Sequence, residues 1–163
     1  MNTIDLSPFF QTKIQAADFS SRVATLAEKI YETDFNLEKA LMDQFGLKKK
    51  DGFMTLLRDN KIASESNTAL KQFLTQLQET IAALPVLSLT IAFEPTEKTM
   101  KALSEWFLIN SNRQVLFAVT VDSRIIAGAS ISFNGKDQDF SIKAKFDQIV
   151  QEGLTKKTQE TKV

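Results

Sequence analysis

The chain has 163 residues, 43% hydrophobic and 25% charged, with 20 basic side chains against 20 acidic ones. This is enough for one domain or two small ones, and the absence of a basic excess argues against nucleic acid as the main partner. Cysteine and histidine are both absent, which removes disulfides, thiolate chemistry and His-activated nucleophiles, and leaves a metal only oxygen ligands suited to Mg²⁺ or Ca²⁺.

Taken in order, Ser7 can cap a helix whose first turn accommodates Pro8, and Phe10, Ile14, Ala17, Val23, Leu26, Ala27 and Ile30 follow with helical recurrence. A break near Phe19-Ser20-Ser21 is compatible with this pattern. Asn36 can cap a second helix carrying Leu37, Leu41 and Phe45, which Gly46 would end. Lys48-Lys49-Lys50 reads as a solvated turn, and a third helix spans Asp51 to Asp59. Ser64 or Ser66 opens a fourth, whose Leu70, Phe73, Leu74, Leu77 and Ile81 form an apolar stripe before Pro85. Such a stripe closes its own bundle more often than it receives a partner helix.

Near Ala83–Pro85 the period changes from 3.6 to 2. Leu87, Leu89, Ile91 and Phe93 share one face of a strand. After Pro95, Thr96 caps a helix with Met100, Leu103, Trp106 and Phe107 on its apolar side, and Val115 to Val121 reads as a buried strand. If these two strands are parallel neighbours, the crossover between them is right-handed. A run from Ile125 to Phe133 then meets Asn134-Gly135, the dipeptide suited to a type I′ hairpin. Asp139 or Ser141 can cap a final helix with Ile142, Phe146, Ile149 and Val150 inward, ending at Gly153, and a polar tail follows. The expected fold is α+β: an N-terminal all-α bundle of four or five helices over 1–84, a small α/β domain with a mixed sheet and two helices over 85–153, and a flexible tail over 154–163.

Thirteen phenylalanines stand against one tyrosine and one tryptophan. Without a polar handle most of these rings belong in a core, each contributing about 2–3 kcal/mol when buried. Phe9-Phe10 is balanced between core and partner surface, because adjacent helical residues point about 100° apart. No apolar run approaches the ~20 residues that span a bilayer, and the start Met1-Asn2-Thr3-Ile4-Asp5 lacks signal-peptide character, so the expected location is cytoplasmic. Asp122 and Asp139 flank the hairpin strands and have a sufficient role as turn or cap residues, which outweighs an acid–base pair. Gly128 has no helix N-terminus after it to hold a phosphate; close packing is the expected role.

Val121-Asp122-Ser123-Arg124-Ile125-Ile126-Ala127-Gly128, then Ile131 to Phe133, Gly135-Lys136, Asp139 and Ser141, resembles the C-terminal signature of the ATP synthase delta subunit family, which includes the mitochondrial oligomycin-sensitivity-conferring protein. Ser123 stands where that family has proline, and Ala127-Gly128 where it has a glycine pair. The resemblance implies a non-catalytic stator, or peripheral stalk, subunit of a proton-translocating F-type ATP synthase, with no catalytic, cofactor-binding or metal-binding residue. Its implied partners are the N-terminal helices of the alpha subunits and the C-terminal end of the b subunit. It would be a monomer within the complex, not inserted in the membrane but peripheral to the inner face of the cell membrane. Phe9, Phe10 and Ile14 are then candidates for contact with the catalytic head, and Lys145, Gln148 and Ile149 for contact with the stalk. The family's N-terminal domain has six helices, more than this chain's first 83 residues hold. A generic protein-binding adaptor or chaperone-like module is the alternative, followed by a small carboxylate-based Mg²⁺ enzyme.

Overall fold

A computed structural model describes residues 4–62, 66–125, 127–133 and 135–140. Its elements are α1 (Lys13–Lys29), α2 (Leu37–Asp59), α3 (Asn67–Ala82), β1 (Val86–Ile91), α4 (Glu97–Ser111), β2 (Leu116–Val121), β3 (Ala129–Phe133) and β4 (Lys136–Asp139). The α+β class expected from the sequence is the one observed. The final helix expected from Ile142 lies outside the described residues.

Helix α1 begins five residues later than the Ser7-Pro8 pattern suggested. Thr12 makes a stronger start: its side chain accepts from the Gln15 backbone N–H at 3.2 Å while the Gln15 side chain accepts from the Thr12 N–H at 3.2 Å, a reciprocal capping box. Ser7, Pro8 and Phe9 form a turn instead, closed by the Phe9 N–H donating to the Leu6 carbonyl at 3.0 Å. No break occurs at Phe19-Ser20-Ser21. The expected interruption at Gly46 does occur, at φ 71° and ψ 172°, but helix resumes directly after it, so Lys48-Lys49-Lys50 is helical rather than the expected turn, and among the described residues four helical segments precede Pro85. Asn36 and Ser66 cap α2 and α3, accepting from the backbones of Lys39 at 2.9 Å and Ala69 at 3.3 Å.

Five rings make the centre of the helical unit. Phe19 of α1 lies 5.1 Å from Phe9, 5.3 Å from Phe10, 5.0 Å from Phe45 and 6.3 Å from Phe53, centroid to centroid. Gly52 leaves room for this cluster, since a Cβ there would stand 3.3 Å from the Phe9 ring. The α3 stripe of Leu70, Phe73, Leu74, Leu77 and Ile81 is buried in the same core.

By contacts, residues 1–85 group with 100–116, and 86–99 with 117–163. Most of α4 therefore belongs with the helical unit. Its buried positions are Met100 and Ser104, with Leu103 and Phe107 half-buried and Trp106 exposed, so the expected apolar side is only partly the inward one. Small Ser104 lines a narrow recess with Ser7, Pro8 and Gln11, where a larger side chain would hold the N-terminal turn away.

The strand order of the sheet is β2-β1-β3-β4. The Leu116 N–H donates to the Pro85 carbonyl at 2.8 Å and the Asp122 N–H to the Ile91 carbonyl at 2.9 Å; the constant offset means β1 and β2 run parallel. Strand β3 pairs antiparallel with β1, Leu89 opposite Ile131, and with β4, Phe133 opposite Lys136. Two residues thus join β3 to β4, and Gly135 has φ +73°, as the Asn134-Gly135 reading requires. Leu87, Leu89, Ile91 and Phe117 are buried. Phe93, expected to share their face, lies beyond the end of β1 and is 70% exposed.

Two substitutions test this account by urea denaturation. Phe19→Ala is expected to cost about 3–5 kcal/mol because it empties the centre of the ring cluster. A Cβ on Gly46 would meet nothing within 4 Å, so Gly46→Ala is expected to cost about 1–3 kcal/mol through backbone strain alone; a neutral result would show that this break relaxes into helix.

Candidate functional site

The residues singled out at the start of the chain separate into two groups. Phe10 is fully buried and Phe9 is 6% exposed, because they lie in the turn preceding α1 rather than on the helix, where both rings can reach Phe19. Ile14, one residue into α1, is 82% exposed. Lys13, Ala17, Asp18 and Ser21 are exposed on the same helix. Arg22 fixes this surface to the next helix: its Nε donates to Asp18 Oδ2 at 2.8 Å and its Nη1 to the Gln44 carbonyl at 2.5 Å. Gln44 is two residues before the Gly46 break, so that carbonyl belongs to a helix end with acceptors to spare. Lys145, Gln148 and Ile149 lie outside the described residues.

Sequence periodicity did not anticipate the exposed side of α4. Trp106 and Ile109, one turn apart, are 56% and 81% exposed, and the Trp106 ring meets Phe107 edge-on at 5.1 Å. The unusual placement of the only tryptophan, beside Glu105 in a helix with few core positions, was the available signal.

The helical unit also contains a cleft of about 600 Å³, with Ile4, Thr80, Leu84, Pro85, Arg113 and Gln114 among its lining residues. Gln114 is 9% exposed and its Oε1 accepts from the Leu6 N–H at 3.0 Å, which ties the N-terminal segment to a residue two positions before β2. A glutamine at the head of an otherwise apolar strand was the sequence trace of this contact.

Among the described residues, no helix is long and apolar enough to cross a membrane. The profile of the ATP synthase delta (OSCP) subunit family matches residues 13–152. The chain belongs to that family. A curated relative, ATP synthase subunit delta from Fervidobacterium nodosum, is 31% identical over 104 residues, covering 64% of this chain and 57% of the relative; the match thus spans little more than half of that protein. A chain in the structure of the Toxoplasma gondii mitochondrial ATP synthase hexamer aligns over 87% of this chain and 86% of its own length at 14% identity, with a TM-score of 0.39, too low a similarity to carry weight.

The turn that follows Val121 is built by Asp122. The Asp122 N–H makes the last ladder bond to Ile91, and the Asp122 carbonyl accepts from the Ile125 N–H at 3.1 Å, turning the chain out of the sheet. The side chain holds the turn: Oδ1 accepts from the Arg124 backbone N–H at 3.0 Å, and the guanidinium grips both oxygens, Nε–Oδ1 at 3.0 Å and Nη2–Oδ2 at 2.8 Å. Gly128 follows at φ 104°, a backbone conformation that by itself favours glycine.

The Arg124 side chain first, then its backbone N–H, lowers the Asp122 carboxyl from its ordinary 3.8 to about 2. A carboxylate held that low is ionised at neutral pH and is no proton donor. The folded-state pKa lies below the unfolded one, so the turn's contribution to stability is present above the ordinary value and is lost as pH falls towards about 2. NMR titration of the Asp122 carboxyl should give a midpoint near that value, and Arg124→Gln should return it towards the ordinary range. An unchanged midpoint in the variant would contradict the assignment to Arg124.

Proposed function

We propose that this chain is a non-catalytic stator subunit of an F-type ATP synthase, joining the N-terminal helices of the alpha subunits at the catalytic head to the C-terminal end of the b-subunit stalk. The observation that carries this reading is the family match over residues 13–152. The mechanical task suits the fold. A stator transmits torque without chemistry, so it needs a stiff body with one docking surface for each partner rather than a catalytic pocket.

The close-packed ring cluster supplies stiffness to the helical domain, taken as residues 1–84, because a core packed at crystal-like density resists deformation. Ile14 on the outer side of α1 offers an apolar anchor for a partner helix. Phe9 and Phe10 serve that surface from beneath by fixing the start of α1. On this reading the α/β domain, residues 85–153, engages the stalk through Lys145, Gln148 and Ile149. The subunit is held at the inner face of the cell membrane through the complex, in one copy per synthase.

Reconstitution tests the proposal. Head particles stripped of their own delta-type subunit should regain ATP synthesis on stalk-bearing membranes when this chain is added; failure to restore it, with both partners intact, would contradict the reading. Ile14→Asp should weaken binding of an alpha-subunit N-terminal peptide by roughly ten-fold, about 1.4 kcal/mol. Its folding stability should stay within about 0.5 kcal/mol of the parent, as for other exposed positions. Equal peptide affinity in both proteins would move the head-binding surface elsewhere.

A further inference from the structure

The cleft beside Gln114 has a feature that the stator reading does not use. The Gln114 carboxamide is oriented by the Leu6 N–H, which donates to Oε1 at 3.0 Å; exchanging oxygen and nitrogen would set two donors against each other, so the orientation is fixed. This leaves Nε2 buried with no hydrogen-bond partner among the described residues, in a side chain only 9% exposed. Buried amide donors are nearly always paired, and an unpaired one calls for an acceptor.

The chemistry of the surrounding wall says which kind. Arg113, next in sequence, lines the same cleft, and no ion pair engages it among the described residues. Among the described residues no aspartate or glutamate lines the cleft, while Thr80 and Asn112 add neutral polar groups. The same cleft is also lined by Ile4, Leu84 and Pro85, which are apolar and uncharged. The volume of about 600 Å³ falls in the range of small-molecule sites.

We infer that this cleft binds a small organic carboxylate, its two oxygens shared between the Arg113 guanidinium and Gln114 Nε2 and its short apolar body against Ile4, Leu84 and Pro85. A guanidinium and a carboxamide N–H together match the acceptor geometry of a carboxylate better than that of a neutral carbonyl, which carries no charge for Arg113 to meet. Since Nε2 is buried, the acceptor reaches it with a small outward shift of the amide. Binding there would also brace the N-terminal segment, because the ligand and Leu6 hold opposite ends of one carboxamide.

The full chain, labelled with nitrogen-15, would be titrated with hexanoate, hexanamide and inorganic phosphate while the Gln114 side-chain NH₂ signals are followed. Hexanoate should shift them saturably, and Arg113→Gln, an exposed position, should raise its Kd roughly ten-fold or more. Hexanamide, lacking the charge, and phosphate, lacking the apolar body, should each bind at least ten-fold more weakly. The inference is overturned by any of three results: no saturable shift with hexanoate at millimolar concentration, equal affinity for hexanamide or phosphate, or hexanoate binding indifferent to Arg113→Gln. Gln114 itself is read by its own signals rather than by substitution, since replacing it would also release Leu6.

Discussion

Phe19 is the residue on which the helical unit turns. Its ring lies between two rings from the turn ahead of α1 and two from the separate segments of α2, so one side chain joins three stretches of backbone with different directions. Buried rings of this kind contribute through area removed from water and again through tilted and edge-on ring geometry. The contact also dictates the irregularities around it. Gly46 breaks α2 so that Phe45 and Phe53, which stack at 5.5 Å, can both face inward, and Gly52 stays without a side chain so that the Phe9 ring can lie against the backbone.

From that centre the outer features follow. With Phe9 and Phe10 drawn inward, the helix that starts at Thr12 is free to present Ile14 outward, and the segment before the turn runs to Leu6, whose N–H finds the Gln114 side chain. The N-terminal segment and the entry to β2 are thereby linked across 108 positions of sequence. The sheet is organised by a different constraint, the requirement that each strand's backbone groups be paired. Asp122 ends that pairing, and Arg124 locks the turn that follows.

What could be read from sequence was what local chemistry decides. Asn36 as a cap, Ser66 as one of two candidate caps, the helix end at Gly46, the stripe from Leu70 to Ile81, the change of period at Pro85 and the hairpin at Gly135 each depend on a few neighbouring residues, and the structure has each of them. The misreadings arose where a distant partner decided. Ser7-Pro8 is a sound helix start by local rules, but the burial of both Phe9 and Phe10 against Phe19 favours a turn. Phe93 continues the alternation of β1, yet the ladder ends at Ile91. Trp106 shares the apolar spacing of Met100 and Leu103 and yet is on the surface, 56% exposed. The unpaired amide of Gln114 was invisible because it exists only once Leu6 has taken the other end.

The central claim is that this family member acts as the link between a catalytic head and its stalk. Affinity purification of the tagged chain from gently solubilised native membranes, followed by mass spectrometry, tests it most directly. The account predicts alpha, beta and b subunits in stoichiometric amounts with the chain. A clean preparation without them, from membranes in which the synthase is demonstrably present, would contradict it.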